Sequence, residues 1–191
     1  MIRAFIAVEI APKTVESISE AIGQLKLRVP GIRWIPLNNL HVTLKFLGDI
    51  DEAKVDPIAQ ALRDHLRPFS RFIISAKGLG VFPDLKRPRV LWVGLEAPRL
   101  AVLASTVEKA LEPLGFSPEK RGFQPHLTIG RWRESEKPSA KFGEELARWK
   151  NHEFGQSEIK FVILFQSMLK PEGAIHRPLK DVALSDEKPL N

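Results

Sequence analysis

The chain of 191 residues contains no cysteine and no tyrosine. Without thiols, disulfide staples, thiolate metal sites and cysteine nucleophiles are excluded, and a cytoplasmic setting is expected. Long hydrophobic runs are missing too: no uninterrupted apolar stretch approaches the roughly 18 residues of a membrane helix, so no membrane partner is expected. The opening stretch MIRAFIAVEI is short, carries Glu9 and lacks a cleavage site, and reads as a strand rather than a secretion signal. Acidic excess is also absent. Lys and Arg outnumber Asp and Glu by 29 to 23, leaving a net charge of +6, which favours a polyanionic partner such as RNA, DNA or an anionic surface. The positive residues cluster in LKRPR (85–89), EKRG (119–122) and GRWR (130–133).

What is present is the composition of a globular chain, 43% hydrophobic and 27% charged, long enough for one domain of two small lobes over residues 1–191. Ile2, Ala4, Ile6, Val8 and Ile10 alternate as one apolar face of a strand, with Phe5 pointing the other way. Pro12 suits a helix start, followed by Val15, Ile18, Ile22 and Leu25 at helical spacing. HVTLKFL is a second strand closed by Gly48, and Asp56 with Pro57 opens a second helix carrying Ile58, Ala61, Leu62 and Leu66. RFIISAKGLGVF and RVLWVGLE are strands. Pro98 opens a helix with Leu100, Leu103, Val107 and Leu111. HLTIGRW is another strand, a short helix covers about Ala140 to Trp149, EIKFVILFQSML is one strongly β-prone run, and PEG (171–173) turns into AIHRPL. The tail from Ser185 is expected to fray. This alternation predicts an α+β or α/β protein with two sheets in two similar halves.

The pattern that carries chemistry is His-x-Thr, present at His41–Thr43 and again 85 residues later at His126–Thr128. Five histidines and four threonines make two such tripeptides a poor coincidence. In a strand, residues two apart share a face, so each histidine projects with its threonine while Val42, Leu44 and Phe46, or Leu127 and Ile129, enter the core. A single copy reads as a satisfied polar pair on a strand. Two copies on lobes facing across a pseudo-twofold axis would gather two imidazoles and two hydroxyls around one cleft. Two imidazoles can act as base and acid near neutrality, and hydroxyls can hold nonbridging oxygens, which suits phosphoryl transfer. A metal site fits less well, because neither motif has a nearby Asp, Glu or Cys and no His-x3-His or HExxH spacing occurs. His65, His152 and His176 are read as ordinary surface or structural residues.

RAFIAVEI, LHVTLKFLG, RPRVLWVGL, QPHLTIGR and LFQSMLKPEGAIHRPL together resemble the RNA 2',3'-cyclic phosphodiesterase family, also known as 2'-5' RNA ligases, among the two-histidine phosphoesterases. The resemblance implies a bilobal, duplicated fold of two antiparallel-rich sheets flanked by helices with a central cleft. It implies cofactor-free, metal-independent opening of a terminal 2',3'-cyclic phosphate at RNA ends to a 2'-phosphomonoester; small cyclic nucleotides are further candidate substrates, and a monomer is the default expectation. It assigns His41 as proton donor to the leaving 3'-oxygen and His126 as the base that activates water, with Thr43 and Thr128 on the phosphate oxygens. The two motifs are chemically alike, so the residues alone do not separate the two roles.

Three further positions join as candidate substrate contacts. Phe5 either stacks on a terminal base or belongs to a second small core. Lys45 shares alternation with His41 and Thr43, and either adds positive potential or snorkels at the sheet edge. Arg131 has the wrong parity for the motif face unless Gly130 marks a bulge that turns it there. The family often carries a tyrosine near LFQSML, and this chain has none to offer. Joining of RNA halves through a 2'-5' bond, and noncatalytic binding of RNA ends, are the alternatives.

Overall fold

The computed structural model describes residues 1–133, 138, 141–170 and 173–186. Among the described residues, nine strands and four α-helices follow in the order β1 (Ile2–Glu9), α1 (Pro12–Arg28), β2 (Ile32–Trp34), β3 (His41–Ile50), α2 (Val55–Leu66), β4 (Phe72–Phe82), β5 (Val90–Glu96), α3 (Pro98–Leu111), β6 (His126–Trp132), α4 (Phe142–Arg148), β7 (Glu153–Ile159), β8 (Phe161–Lys170) and β9 (Gly173–Ala183). They form two antiparallel sheets, one ordered β3-β1-β8-β9 and the other β2-β6-β5-β4-β7. Leaving aside β2 at its edge, the second sheet repeats the first. A motif strand (β3, β6) lies beside the strand that precedes a helix (β1, β5), then a third and a fourth strand.

The helices form where the apolar spacing placed them. Pro12 and Pro98 occupy first-turn positions, where a missing N–H costs nothing. Ile18, Ile22 and Leu25 of α1 and Leu100, Leu103, Val107 and Leu111 of α3 are buried. Each fully buried aliphatic side chain of this kind contributes about 1.5–3 kcal/mol relative to exposure. The helices cross over: α1, which follows β1 of the first sheet, packs on β7 of the second, while α3, which follows β5 of the second, packs on β3 of the first. One contiguous buried cluster accordingly draws on both sheets.

Four sequence expectations change. EIKFVILFQSML is two strands in different sheets, because the chain leaves the second sheet at Ile159 and enters the first at Phe161. The sheets are not the two halves of the sequence, since the first sheet takes β1 and β3 from one end of the chain and β8 and β9 from the other. β3 runs past Gly48 to Ile50. Asp56 lies inside the first turn of α2 and pairs with Lys180 of β9, while the capping aspartate is Asp51, which accepts from Ala53 N at 3.0 Å ahead of the helix. Ala140, most of the PEG turn and residues 187–191 lie outside the described residues.

Candidate active site

His41 and Thr43 sit half-buried on β3, and His126 and Thr128 half-buried on β6, with Val42, Leu44, Leu127 and Ile129 buried on the opposite side. β3 and β6 approach each other directly, although they belong to different sheets. The alternation that exposes His and Thr is the ordinary pleat of a strand. Immediately beyond each threonine that pleat breaks, in the same way on both strands.

On β3, Ala7 lies opposite Thr43 and Ile6 opposite Lys45, so Leu44 is one residue too many. On β6, Trp92 lies opposite Thr128 and Leu91 opposite Gly130, so Ile129 is the extra residue. A bulge of this kind flips the parity of everything beyond it. Arg131 is thereby turned to the His126–Thr128 face, as expected if a bulge occurs near Gly130. Gly130 itself is buried on the core side, where a Cβ would meet the Ile32 side chain at 2.5 Å.

The same flip corrects two other expectations. Lys45 is not beside His41: it is 3% exposed on the core side, paired with the Glu108 carboxylate of α3 and donating to the Ser117 carbonyl at 2.8 Å. Phe46, expected in the core, is 61% exposed and occupies on β3 the position that Arg131 occupies on β6. Of the two readings of Phe5, the structure selects the second, the residue being only 3% exposed. It forms a second small core with Ala7, Ile163 and Phe165, and its ring stacks on Phe165 at 5.3 Å.

Both imidazoles are anchored alike. His41 Nδ1 lies 2.7 Å from the Asn39 carbonyl, and His126 Nδ1 lies 2.7 Å from the Gln124 carbonyl, each two residues upstream. A carbonyl only accepts, so Nδ1 carries the hydrogen in both rings and Nε2 is left for chemistry. His41 Nε2 is 3.0 Å from the Thr43 hydroxyl.

Beyond the anchors, the two surroundings differ. His41 is walled by rings: Phe5 at 4.8 Å, His176 at 4.9 Å edge-on, and Phe165 at 6.3 Å. Burial lowers its pKa from 6.5 to about 4; the Asn39 carbonyl opposes this and the neighbouring His176 adds to it. His126 meets the edge of Phe82 at 5.1 Å, and Phe82 packs on Trp92 at 5.2 Å. Trp92 lies over Gly80, where any Cβ would fall 2.2 Å from the indole, so only glycine admits the ring there.

Arg33 of β2 lies in register with Arg131. Partial burial, and then Arg33, lower the Arg131 pKa. Among the described residues neither guanidinium has an ion-pair partner. Arg33, Phe46, Phe82, Trp92, Asn39 and His176 were not anticipated at the site. The bulges would have revealed Phe46, but only Gly130 hints at either. His65 and His152 lie elsewhere, the first bonded to the Ala61 carbonyl and the second packed edge-on against Trp149 and Phe154. Among the described residues, no three His, Cys, Asp or Glu side chains gather as metal ligands would, and no helix is long and apolar enough to cross a membrane.

A duplicated His-x-Thr strand with a duplicated bulge is a relationship that sequence comparison can test. The family described as "LigT like Phosphoesterase" matches twice, over residues 8–92 and 93–176. The chain belongs to that family. Its relatives include the RNA 2',3'-cyclic phosphodiesterase of Methanothermobacter thermautotrophicus, 34% identical over 94% of this chain and 97% of that protein. The protein of the same name from Aquifex aeolicus is 34% identical over 96% of this chain and 98% of its own. Among solved structures, a Thermus thermophilus protein superposes with a TM-score of 0.80 at 27% identity, covering 96% of this chain and 98% of that one. Escherichia coli LigT shares the fold, with a TM-score of 0.74 at 24% identity and the same coverage. The two matched segments each contain one His-x-Thr, so the family's model recurs within this chain at the internal repeat.

Proposed function

We propose that the chain hydrolyses the 2',3'-cyclic phosphate at the end of an RNA to a 2'-phosphomonoester. The observation that carries this reading is the pair of imidazoles, each locked through Nδ1 to a backbone carbonyl with Nε2 left for chemistry, on two strands that meet between the sheets. The relatives named for this activity match over nearly their whole length, which supports the same substrate here. Water attacks phosphorus as His126 Nε2 takes its proton, the bond from phosphorus to O3' breaks, and His41 delivers a proton to O3'. Thr43 and Thr128 donate to the nonbridging oxygens, and Arg131 draws in the anionic chain.

In the free protein His41 is neutral at pH 7, since its pKa is lowered to about 4. Its role as acid therefore depends on the bound anion, whose negative charge opposes the effect of burial and raises the pKa. The Thr43 hydroxyl donates to Nε2 in the meantime. The reading is tested by incubating an oligoribonucleotide ending in a 2',3'-cyclic phosphate with the protein and EDTA, then identifying the product. A 2'-phosphate formed undiminished in EDTA is expected. A 3'-phosphate, no turnover, or activity lost on chelation overturns it.

A further inference from the structure

His176, on β9, is the third imidazole of this region. Its ring lies edge-on to His41 at 4.9 Å, with an interplanar angle of 76°, and edge-on to Phe5 at 4.9 Å, with an angle of 71°. With the Phe5–His41 contact at 4.8 Å, the three rings close a triangle. The Nδ1 of His176 is buried without a hydrogen-bond partner. A buried polar atom left unpaired is destabilising, a cost that a purely structural aromatic at this position would not carry.

β9 reaches His41 by a second route. The Asn39 side chain, itself buried, donates through Nδ2 to the Ala174 carbonyl at 2.6 Å, while the Asn39 backbone carbonyl takes the His41 Nδ1 hydrogen. Residues 174–176 thus hold His41 from the ring face through His176 and from Nδ1 through Asn39. His126 has only its carbonyl anchor and the Phe82 edge among the described residues.

We propose that His176 is a positioning residue for His41, holding that imidazole in place through the ring contact while the Ala174–Asn39 link holds its Nδ1 side. This rests on the two-imidazole reading above, and names the residue that sets how one of its two partners is presented. The charged and titratable groups facing the pair are few. Glu9 on β1 lies in register with His41, and β6, which approaches β3, carries His126 and Arg131. Among the described residues, His176 is the one cation-forming group in ring contact with His41, and its own pKa is lowered by burial.

The test combines NMR titration of carbon-labelled histidines without RNA and steady-state kinetics on cyclic-phosphate-terminated RNA. His176→Gln is expected to move the His41 midpoint upward, by removing the like charge. It should lower kcat about ten- to hundredfold with KM nearly unchanged. His176→Phe, which keeps the ring, should recover most of that kcat. Asn39→Ala, which cuts the link to Ala174 but keeps the backbone carbonyl, should lower kcat in the same direction. Wild-type kcat in both the Gln and Ala variants, an unmoved His41 midpoint in the Gln variant, or a rise in KM alone overturns the proposal. The titration needs no turnover, so positioning is still measurable if the RNA chemistry proves different.

Discussion

The His41 and His126 halves of the site are built by the same local sequence and finished by different ones. Each has a His-x-Thr strand, a bulge one residue past the threonine, and an Nδ1 held by the carbonyl two residues upstream. The floors then diverge. Under Thr43 lies Ala7, within a small core of Phe5, Ile163 and Phe165, with His176 alongside; under Thr128 lies Trp92, with Phe82 and the gap left by Gly80. Duplication copies the aim of an imidazole. Its titration depends on the neighbours, and those were not copied. Two His-x-Thr motifs that differ only in their middle residue can therefore take opposite roles in one proton-transfer cycle, which is what a base and an acid on one phosphorus require.

The strongest way to break this comparison is to remove each imidazole in turn. His41→Ala and His126→Ala should each reduce kcat by about 10²- to 10⁴-fold on cyclic-phosphate RNA, and turnover near wild type in either variant ends the two-histidine account. A smaller effect separates the residues beyond the bulges. Arg131→Ala should raise KM about tenfold and flatten its dependence on salt, because a phosphate contact is lost. Lys45→Met, buried against Glu108, should leave KM unchanged and register in thermal denaturation instead. A KM effect from Lys45 as large as that from Arg131 would mean that the parity flip is absent in solution.

A further effect concerns stability. The pKa of His41 is depressed on folding, so the folded state binds fewer protons than the unfolded state below pH 6.5. Its contribution is complete above that pH and is lost progressively as pH falls toward 4, amounting to about 3 kcal/mol at most. Chemical denaturation of His41→Gln across that window should show a shallower loss than the parent chain. Equal slopes would place the imidazole in a wetter setting than its ring neighbours imply.

Much of this was legible in the residues. Alternation found β1, the motif strands and the faces of His41, Thr43, His126 and Thr128, and helical spacing found the buried stripes of α1 and α3, because these patterns depend only on local geometry. Lys45 and Phe46 were misplaced for one shared reason. Alternation assumes an unbroken pleat, whereas a bulge at Leu44 flips it, and that bulge is not written in local composition; Phe5 points away from the apolar stripe as expected, and the structure selects its second-core reading. His176 was passed over because its partners, His41 and Phe5, lie far back along the chain and reach it only through the pairing of β9 with β8. The join at Lys160 was hidden by uninterrupted β propensity on either side.

The first sheet is stitched from opposite ends of the polypeptide, with β1 and β3 closed by β8 and β9. On the ribosome, the strands carrying both histidine motifs emerge well before the hairpin that walls in His41. The surroundings of His41 therefore stay open until β8 and β9 have emerged, well after the second motif strand has been made.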